Sequence, residues 1–244
     1  MMEVPTFATD EGVERILVVV AHPDDIDFGT AGSGAVWTDA GVEVTYCLVT
    51  SGEAGGDDRS MARADMAALR QGEQTAAAKQ VGVTDLRWLG YPDGRVEYTL
   101  DLRRDISRVI RDVQPQRVVS MSPERSWERV YGNHPDHLAT AEATLAAVYP
   151  DSRNPFAHPE LLDEGFEPWA VGEMYIVVAG VPDVFVDITD SFDRKIEALR
   201  CHVSQHPDPE GLDARIRAWN AANAALGGLP EGRLAESFLR VDTN

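Results

Sequence analysis

Residues 15–21, Arg-Ile-Leu-Val-Val-Val-Ala, form a short apolar run dominated by β-branched side chains and lead without a spacer into His22-Pro23-Asp24-Asp25. A run of this kind fits a strand covered on both faces, and such strands belong to parallel sheets. The chain must then supply helices for both faces, and the pattern downstream does so. Residues 32–40 read as a helix and 42–50 as a second strand. Residues 60–81, rich in Ala, Leu, Gln and Arg, read as a helix closed by Gly82. A third strand over 86–89 and a helix over 100–113, ended by Pro115, follow. A fourth strand over 117–121 and a helix over 137–148 complete the alternation. The order βαβα predicts an α/β fold, a Rossmann-like, mostly parallel sheet with helices on both faces.

The last third is less regular. Residues 150–168 read as a loop over one end of the sheet, 173–179 and 184–188 as strands, and 190–203 and 212–226 as helices. No repeat or linker divides the 244 residues. A single domain over 1–244 is expected, with its core over about 14–150 and a C-terminal completion over about 170–244. The formal net charge of −19 repels phosphate backbones and anionic surfaces, so neither nucleic acid nor a membrane is expected as a partner. Residues 1–15 lack a basic segment followed by an apolar core, and no apolar stretch is long enough to span a bilayer. Cys47 and Cys201 are too few for a disulfide framework, and Cys47 reads as a small buried hydrophobe. A cytoplasmic protein is expected. The sequence sets no oligomeric state, and a homo-oligomer is compatible with it.

Ligands of open parallel sheets bind beyond the carboxyl ends of the strands. His22, Asp24 and Asp25 stand at such an end, although a polar turn capping the next helix would use the same residue types. The fourth strand is followed by a loop reaching Gly132-Asn133-His134-Pro135-Asp136-His137. Two clusters after two parallel strands can converge, which offers four ligand-type groups, His22, Asp25, His134 and His137. Imidazole nitrogens and carboxylate oxygens suit zinc, whose catalytic sites use three protein ligands and an open position. His-Pro-Asp recurs at 206–208 with no strand before it and is read as a turn. Gly29 to Gly34 is glycine-rich but does not match GxGxxG; its glycines are expected to let a helix approach the sheet. No GxSxG elbow is present to support a serine nucleophile.

With these residues in place, the sequence resembles the LmbE-like (PIG-L-type) zinc N-deacetylases. The likeness rests on AHPDD at 21–25 with Asp27, Phe28 and Gly29, and on GNHPDH at 132–137. It continues through SGEAGG at 51–56, RQGEQTAAAKQVG at 70–82, LGYPDG at 89–94 and HVSQ at 202–205. The resemblance implies His22, Asp25 and His137 as zinc ligands, Asp24 as general base and His134 as the group that stabilises the oxyanion. It implies sugar contacts for Arg70 and Asp93. Many members carry glutamate where this chain has Asp27, so any bond made from that position must be rearranged. Asp136 is a candidate partner that fixes a histidine tautomer. Ferrous iron competes with zinc for such a donor set.

The expected activity is removal of an N-acetyl group from an N-acetylglucosamine-type glycoside or related natural product, a small amide substrate. An amidase of the same chemistry acting on a larger acyl group is the alternative, and a non-catalytic or nucleotide-binding protein the remote one. His202 is read as a helix C-terminal histidine favouring the dipole, and His158 is left unassigned. Trp127 and Tyr131 are candidates for a substrate wall, and Arg125 and Arg129 for contact with an anionic group.

Overall fold

The computed structural model describes residues 6–7, 10–127, 130–177, 181–206 and 211–244, the side chains of Thr6, Phe7 and Tyr131 excepted. Eight strands, β1 (Thr6–Phe7), β2 (Arg15–Val20), β3 (Glu43–Thr50), β4 (Asp85–Tyr91), β5 (Arg117–Met121), β6 (Glu173–Val177), β7 (Val184–Asp187) and β8 (Ala235–Asp242), form one sheet. Their order is β1-β7-β8-β6-β5-β2-β3-β4. Every neighbouring pair is parallel except those of β8, which runs antiparallel to β6 and β7. The chain builds outward from β2 through β3 to β4, then returns to lay β5 on the other flank of β2. The switch in direction opens a crevice beyond the carboxyl ends of β2 and β5.

The period-two alternation of β2 divides its side chains between two cores. Ile16, Val18 and Val20 pack with Trp37 of α2 (Ala31–Asp39), Ala77 and Ala78 of α3 (Arg63–Gln80), and Ile196 and Leu199 of α7 (Phe192–Arg200). Leu17 and Val19 face Leu102, Ile106 and Ile110 of α4 (Leu100–Val113) and Ala143 of α5 (Pro135–Ala146). With each buried side chain of this size worth about 1.5–3 kcal/mol, both faces of β2 have to be apolar, which explains its unbroken hydrophobic run. Cys47 lies in the second core, where burial pushes its thiol up to about 12.

The single-domain α/β architecture with helices on both faces is as expected, and the departures are local. β8 and the two-residue β1 were not anticipated. The short helices α1 (Asp25–Gly29) and α6 (Glu160–Asp163) were not anticipated either. β4 is longer than the four residues expected, and α5 begins two residues early, at Pro135. Residues 178–179 of the expected strand 173–179 lie outside the described residues. α7 stops at Arg200, so His202 falls in the turn beyond the helix and not at its C-terminus. α8 (Leu212–Leu226) spans the residues expected and packs on β8.

The glycines at 29–34 act through close approach. A Cβ on Gly32 would lie 2.7 Å from Ile188 Cδ1. The phosphate position of a dinucleotide fold, the N-terminus of α2, is filled by the chain's own carboxylate. Buried Glu236 on β8 accepts from the Gly32 and Ser33 N–H groups at 3.0 and 2.7 Å, and Lys195 neutralises it. That arrangement disfavours the nucleotide alternative. Among the described residues, no helix is long and apolar enough to cross a membrane.

Candidate active site

The crevice between β2 and β5 receives side chains from both clusters singled out in the sequence. The chain leaves β2 through Ala21, whose carbonyl accepts from the N–H and hydroxyl of Thr50, each at 2.9 Å. Asp24 then adopts φ 81°, ψ −28°, a left-handed conformation that a non-glycine residue holds only when its surroundings impose it. Here the imposition is visible, since the Asp24 N–H donates to Gln74 Oε1 of α3 at 2.8 Å. From the other side, Pro135 starts α5 and His134 caps it, so His134 and His137 project from its first turn.

Three ligand-type side chains converge on one point. His22 Nδ1 lies 3.1 Å from His137 Nε2 and 3.4 Å from Asp25 Oδ2, while His137 Nε2 lies 3.2 Å from Asp25 Oδ1. Ligands about 2.0–2.1 Å from a tetrahedral ion stand about 3.3–3.4 Å apart, so the spacing fits a small divalent cation. His134 approaches the same point, and a nitrogen of each of His22, His134 and His137 lies within 4.8 Å of the others.

The opposite nitrogen of His22 is fixed by carboxylates. His22 Nε2 lies 3.1 Å from Asp93 Oδ1 and 3.2 Å from Asp136 Oδ2. Such pairing orients a metal-ligating imidazole and raises its basicity. Burial lowers the His22 imidazolium, but bonds to Asp136, Asp25 and Asp93 outweigh it and push the ring up to about 12. Burial likewise opposes ionisation of Asp25, yet His137 and His22 hold its carboxyl well below the usual range. The Asp136 carboxylate also accepts from the Gly94 and Val96 N–H groups at 2.7 and 3.2 Å, joining the LGYPDG segment to α5.

Asp24 differs from Asp25. Burial, then the charge of Asp25, pushes its carboxyl up to about 7 against the pull of Arg70. His134 carries a defined tautomer. Its Nδ1 accepts from the Asp136 N–H at 3.2 Å, which leaves the ring proton on Nε2 when the imidazole is neutral. Burial and the nearby His22 and His137 lower its pKa, so the neutral N–H donor is the favoured form.

The structure brings together His22, Asp24, Asp25, Arg70, Asp93, His134, Asp136 and His137, with Arg70, Asp93 and Asp136 in supporting positions. Arg70 is buried, and its guanidinium donates to Gly52 O at 2.9 Å and Pro23 O at 2.7 Å, clamping two loops that carry the site. A Cβ on Gly52, at φ +68°, would lie 2.4 Å from Arg70 Nη1, which accounts for glycine in SGEAGG. Asp93 accepts from Ala54 N–H at 2.8 Å as well as facing His22. Both side chains thus bond within the chain.

Sequence reasoning missed the group behind Asp24. Asp27 is wholly buried, and its Oδ2 meets Gln74 Nε2 at 2.9 Å and His202 Nε2 at 2.7 Å. Asp27 thus bonds a histidine from the HVSQ segment. The signal lay in the sequence as the pairing of RQGEQ with HVSQ, but nothing in either segment specified the contact. His158 belongs to a separate network, bonding Asp151 Oδ2 at 3.2 Å beside Arg103. Trp127 is exposed, Arg125 is exposed, and Arg129 and the Tyr131 side chain lie outside the described residues.

Known proteins similar to this chain point to one family. The family model described as PIG-L, GlcNAc-PI de-N-acetylase, matches residues 17–148. The chain is 34% identical to a probable N-acetyl-alpha-D-glucosaminyl L-malate deacetylase 2 of Bacillus cereus, over 85% of this chain and 91% of the relative. It is 31% identical to the diacetylchitobiose deacetylase of Thermococcus kodakarensis, over 80% of this chain and 72% of the relative. The solved N,N'-diacetylchitobiose deacetylase of Pyrococcus horikoshii superposes with a TM-score of 0.88 at 30% identity, covering 96% of this chain and 86% of that one. The chain belongs to the PIG-L family, the family of GlcNAc-PI de-N-acetylase.

Proposed function

We propose that this chain hydrolyses the acetamide of an N-acetylglucosamine-type glycoside, releasing acetate and a free amine. The observation that carries the reading is the convergence of His22 Nδ1, His137 Nε2 and Asp25 within 3.1–3.4 Å, beside a strained Asp24 and an N–H donor on His134. The names of the relatives, which act on diacetylchitobiose and on an N-acetylglucosaminyl malate, support the sugar class.

In this reading His22, Asp25 and His137 hold a divalent cation, zinc by the chemistry of two imidazoles and a carboxylate. When bound, the cation supplies Lewis acidity, polarising the amide carbonyl and making water acidic enough to be deprotonated near neutral pH. Asp24 takes the proton of the attacking water and returns it to the departing nitrogen. General catalysis of this kind is worth about 10²–10⁴-fold. His134 donates Nε2–H to the oxygen that becomes negative as the carbonyl carbon turns tetrahedral, aided by its place at the positive end of α5. Asp93 and Asp136 keep His22 oriented, and Arg70 holds the Pro23 and Gly52 carbonyls in place.

The test is acetate release from diacetylchitobiose and a panel of N-acetylglucosamine conjugates, comparing zinc-loaded with chelator-stripped protein. Acetate that requires the metal and appears with any of these sugars supports the reading. Stoichiometric zinc without acetate from any of them contradicts the sugar assignment and favours a larger acyl group.

A further inference from the structure

The second His-Pro-Asp triplet, read in the sequence as an idle turn, begins with a histidine that the fold carries to the first. His206 Nε2 lies 3.7 Å from Asp24 Oδ2. Its place is set from two directions. The His206 N–H donates to His202 O at 2.9 Å, and His202 is itself locked to Asp27. The ring meets Phe28 of α1 edge-on, with centroids 5.2 Å apart and planes at 86°. Pro207 and Asp208 lie outside the described residues.

Two features separate this histidine from one that merely packs. Its Nε2 is buried with no hydrogen-bond partner among the described residues, an unusual condition for a ring nitrogen beside a carboxylate. The same Asp24 oxygen is approached by Arg70 Nη2 at 3.4 Å, so Arg70 and His206 flank Oδ2. Burial and the charges of His202, Arg215 and Arg70 disfavour the His206 imidazolium and favour the neutral ring, which can donate to Asp24 with its proton on Nε2. A shift of less than about 1 Å closes the gap to a hydrogen bond.

We propose that His206 is a positioning residue for Asp24, donating Nε2–H to Oδ2 so that Oδ1 is presented to the attacking water. It makes the segment 202–206, through His202–Asp27–Gln74 and directly through His206, the back wall of the general base. The proposal rests on the deacetylase reading given above, in which Asp24 is that base.

Two substitutions divide donor from packing. His206→Phe keeps a ring against Phe28 and removes the N–H, whereas His206→Gln keeps an N–H donor. Acetate release from diacetylchitobiose by zinc-loaded protein is measured alongside bound zinc. His206→Phe is expected to lower kcat about tenfold, the scale of one hydrogen bond to a charged group, with KM and zinc content unchanged. His206→Gln is expected to stay within about threefold of the parent, and His206→Phe to add nothing in an Asp24→Asn background. A His206→Phe rate equal to the parent's overturns the proposal. So does loss of zinc in that variant, or a His206→Gln defect as large as that of His206→Phe. No acetate from the parent protein itself overturns the deacetylase reading and the proposal together, which distinguishes that failure from a silent His206.

Discussion

The two ends of the parallel strands both bury charge, and they do so differently. At the amino end, Arg117 opens β5 with a wholly buried side chain. It bonds Asp10 Oδ1 at 2.6 Å and Glu173 Oε1 at 2.7 Å, and its guanidinium lies 4.1 Å from the centre of the Tyr175 ring. Arg240 meets the other oxygen of Glu173 at 2.6 Å. Each charge there faces its opposite and the polar atoms point at one another. At the carboxyl end, Asp24 and Asp25 are adjacent like charges, one of them on a strained backbone, and two imidazoles and a carboxylate direct lone pairs at a common point. The comparison teaches that buried charge alone does not mark a site in this fold. The mark is donor atoms aimed at a shared centre, with strain beside them.

The contrast can be broken most forcefully at Asp25. Asp25→Ala should abolish both zinc binding and acetate release, because it removes one of three donors and leaves two histidines facing each other. Retention of stoichiometric zinc, read by metal analysis after gel filtration, would contradict the donor assignment. Arg117→Met should do the reverse. Stability should fall by about 3–5 kcal/mol in denaturant titrations, since Glu173 and Asp10 lose a buried partner, while kcat per folded molecule stays at the parental value. A catalytic defect in folded Arg117→Met protein would dissolve the distinction between the two ends.

Gln74→Leu sharpens the comparison within the site. It strips the bond from the Asp24 N–H and one of two from Asp27, so stability should drop by about 1–3 kcal/mol and kcat should fall with it. Unchanged kinetics would show that the left-handed Asp24 does not need Gln74. The smallest effect expected is a pH-dependent one at His202. Burial lowers its imidazolium, but the bond to Asp27 outweighs this and raises the pKa above 6.5. Because the folded value is the higher one, this stabilisation is complete below about 6.5 and is lost as pH rises through the folded value. The melting-temperature gap between parent and His202→Gln should therefore be widest in acid and shrink in alkali. A gap independent of pH would remove the charged pair from the account.

Legibility in the sequence followed how local the physical cause was. β2 could be read because a strand buried on both faces is almost wholly apolar, β5 from its Val118-Val119 pair, and α4 and α8 because their periodicity and end signals are local. β8 was missed because only three of its eight residues are buried, so it lacks the continuous apolar run of β2. Its run Ala-Glu-Ser-Phe-Leu-Arg-Val-Asp even spends a glutamate, Glu236, in the interior. At the site, His22, Asp25, His134 and His137 were legible because each follows a recognisable strand. Arg70 and Asp93 were expected as sugar contacts, and their inward bonding to Pro23, Gly52, Ala54 and His22 was not foreseen. Gln74 and His202 stood in segments the resemblance picked out and His206 in a triplet read as a turn, but their contacts were not legible, since the partners lie between 47 and 182 positions away by residue number.

The central claim is that neighbouring aspartates have separate tasks, Asp25 holding a metal and Asp24 moving a proton. Its most direct test is acetate release by zinc-loaded Asp24→Asn protein, with bound zinc quantified on the same sample. The account predicts one zinc per chain and a rate lowered by about 10²–10⁴-fold. A rate within a few-fold of the parent's, with the zinc in place, would contradict it.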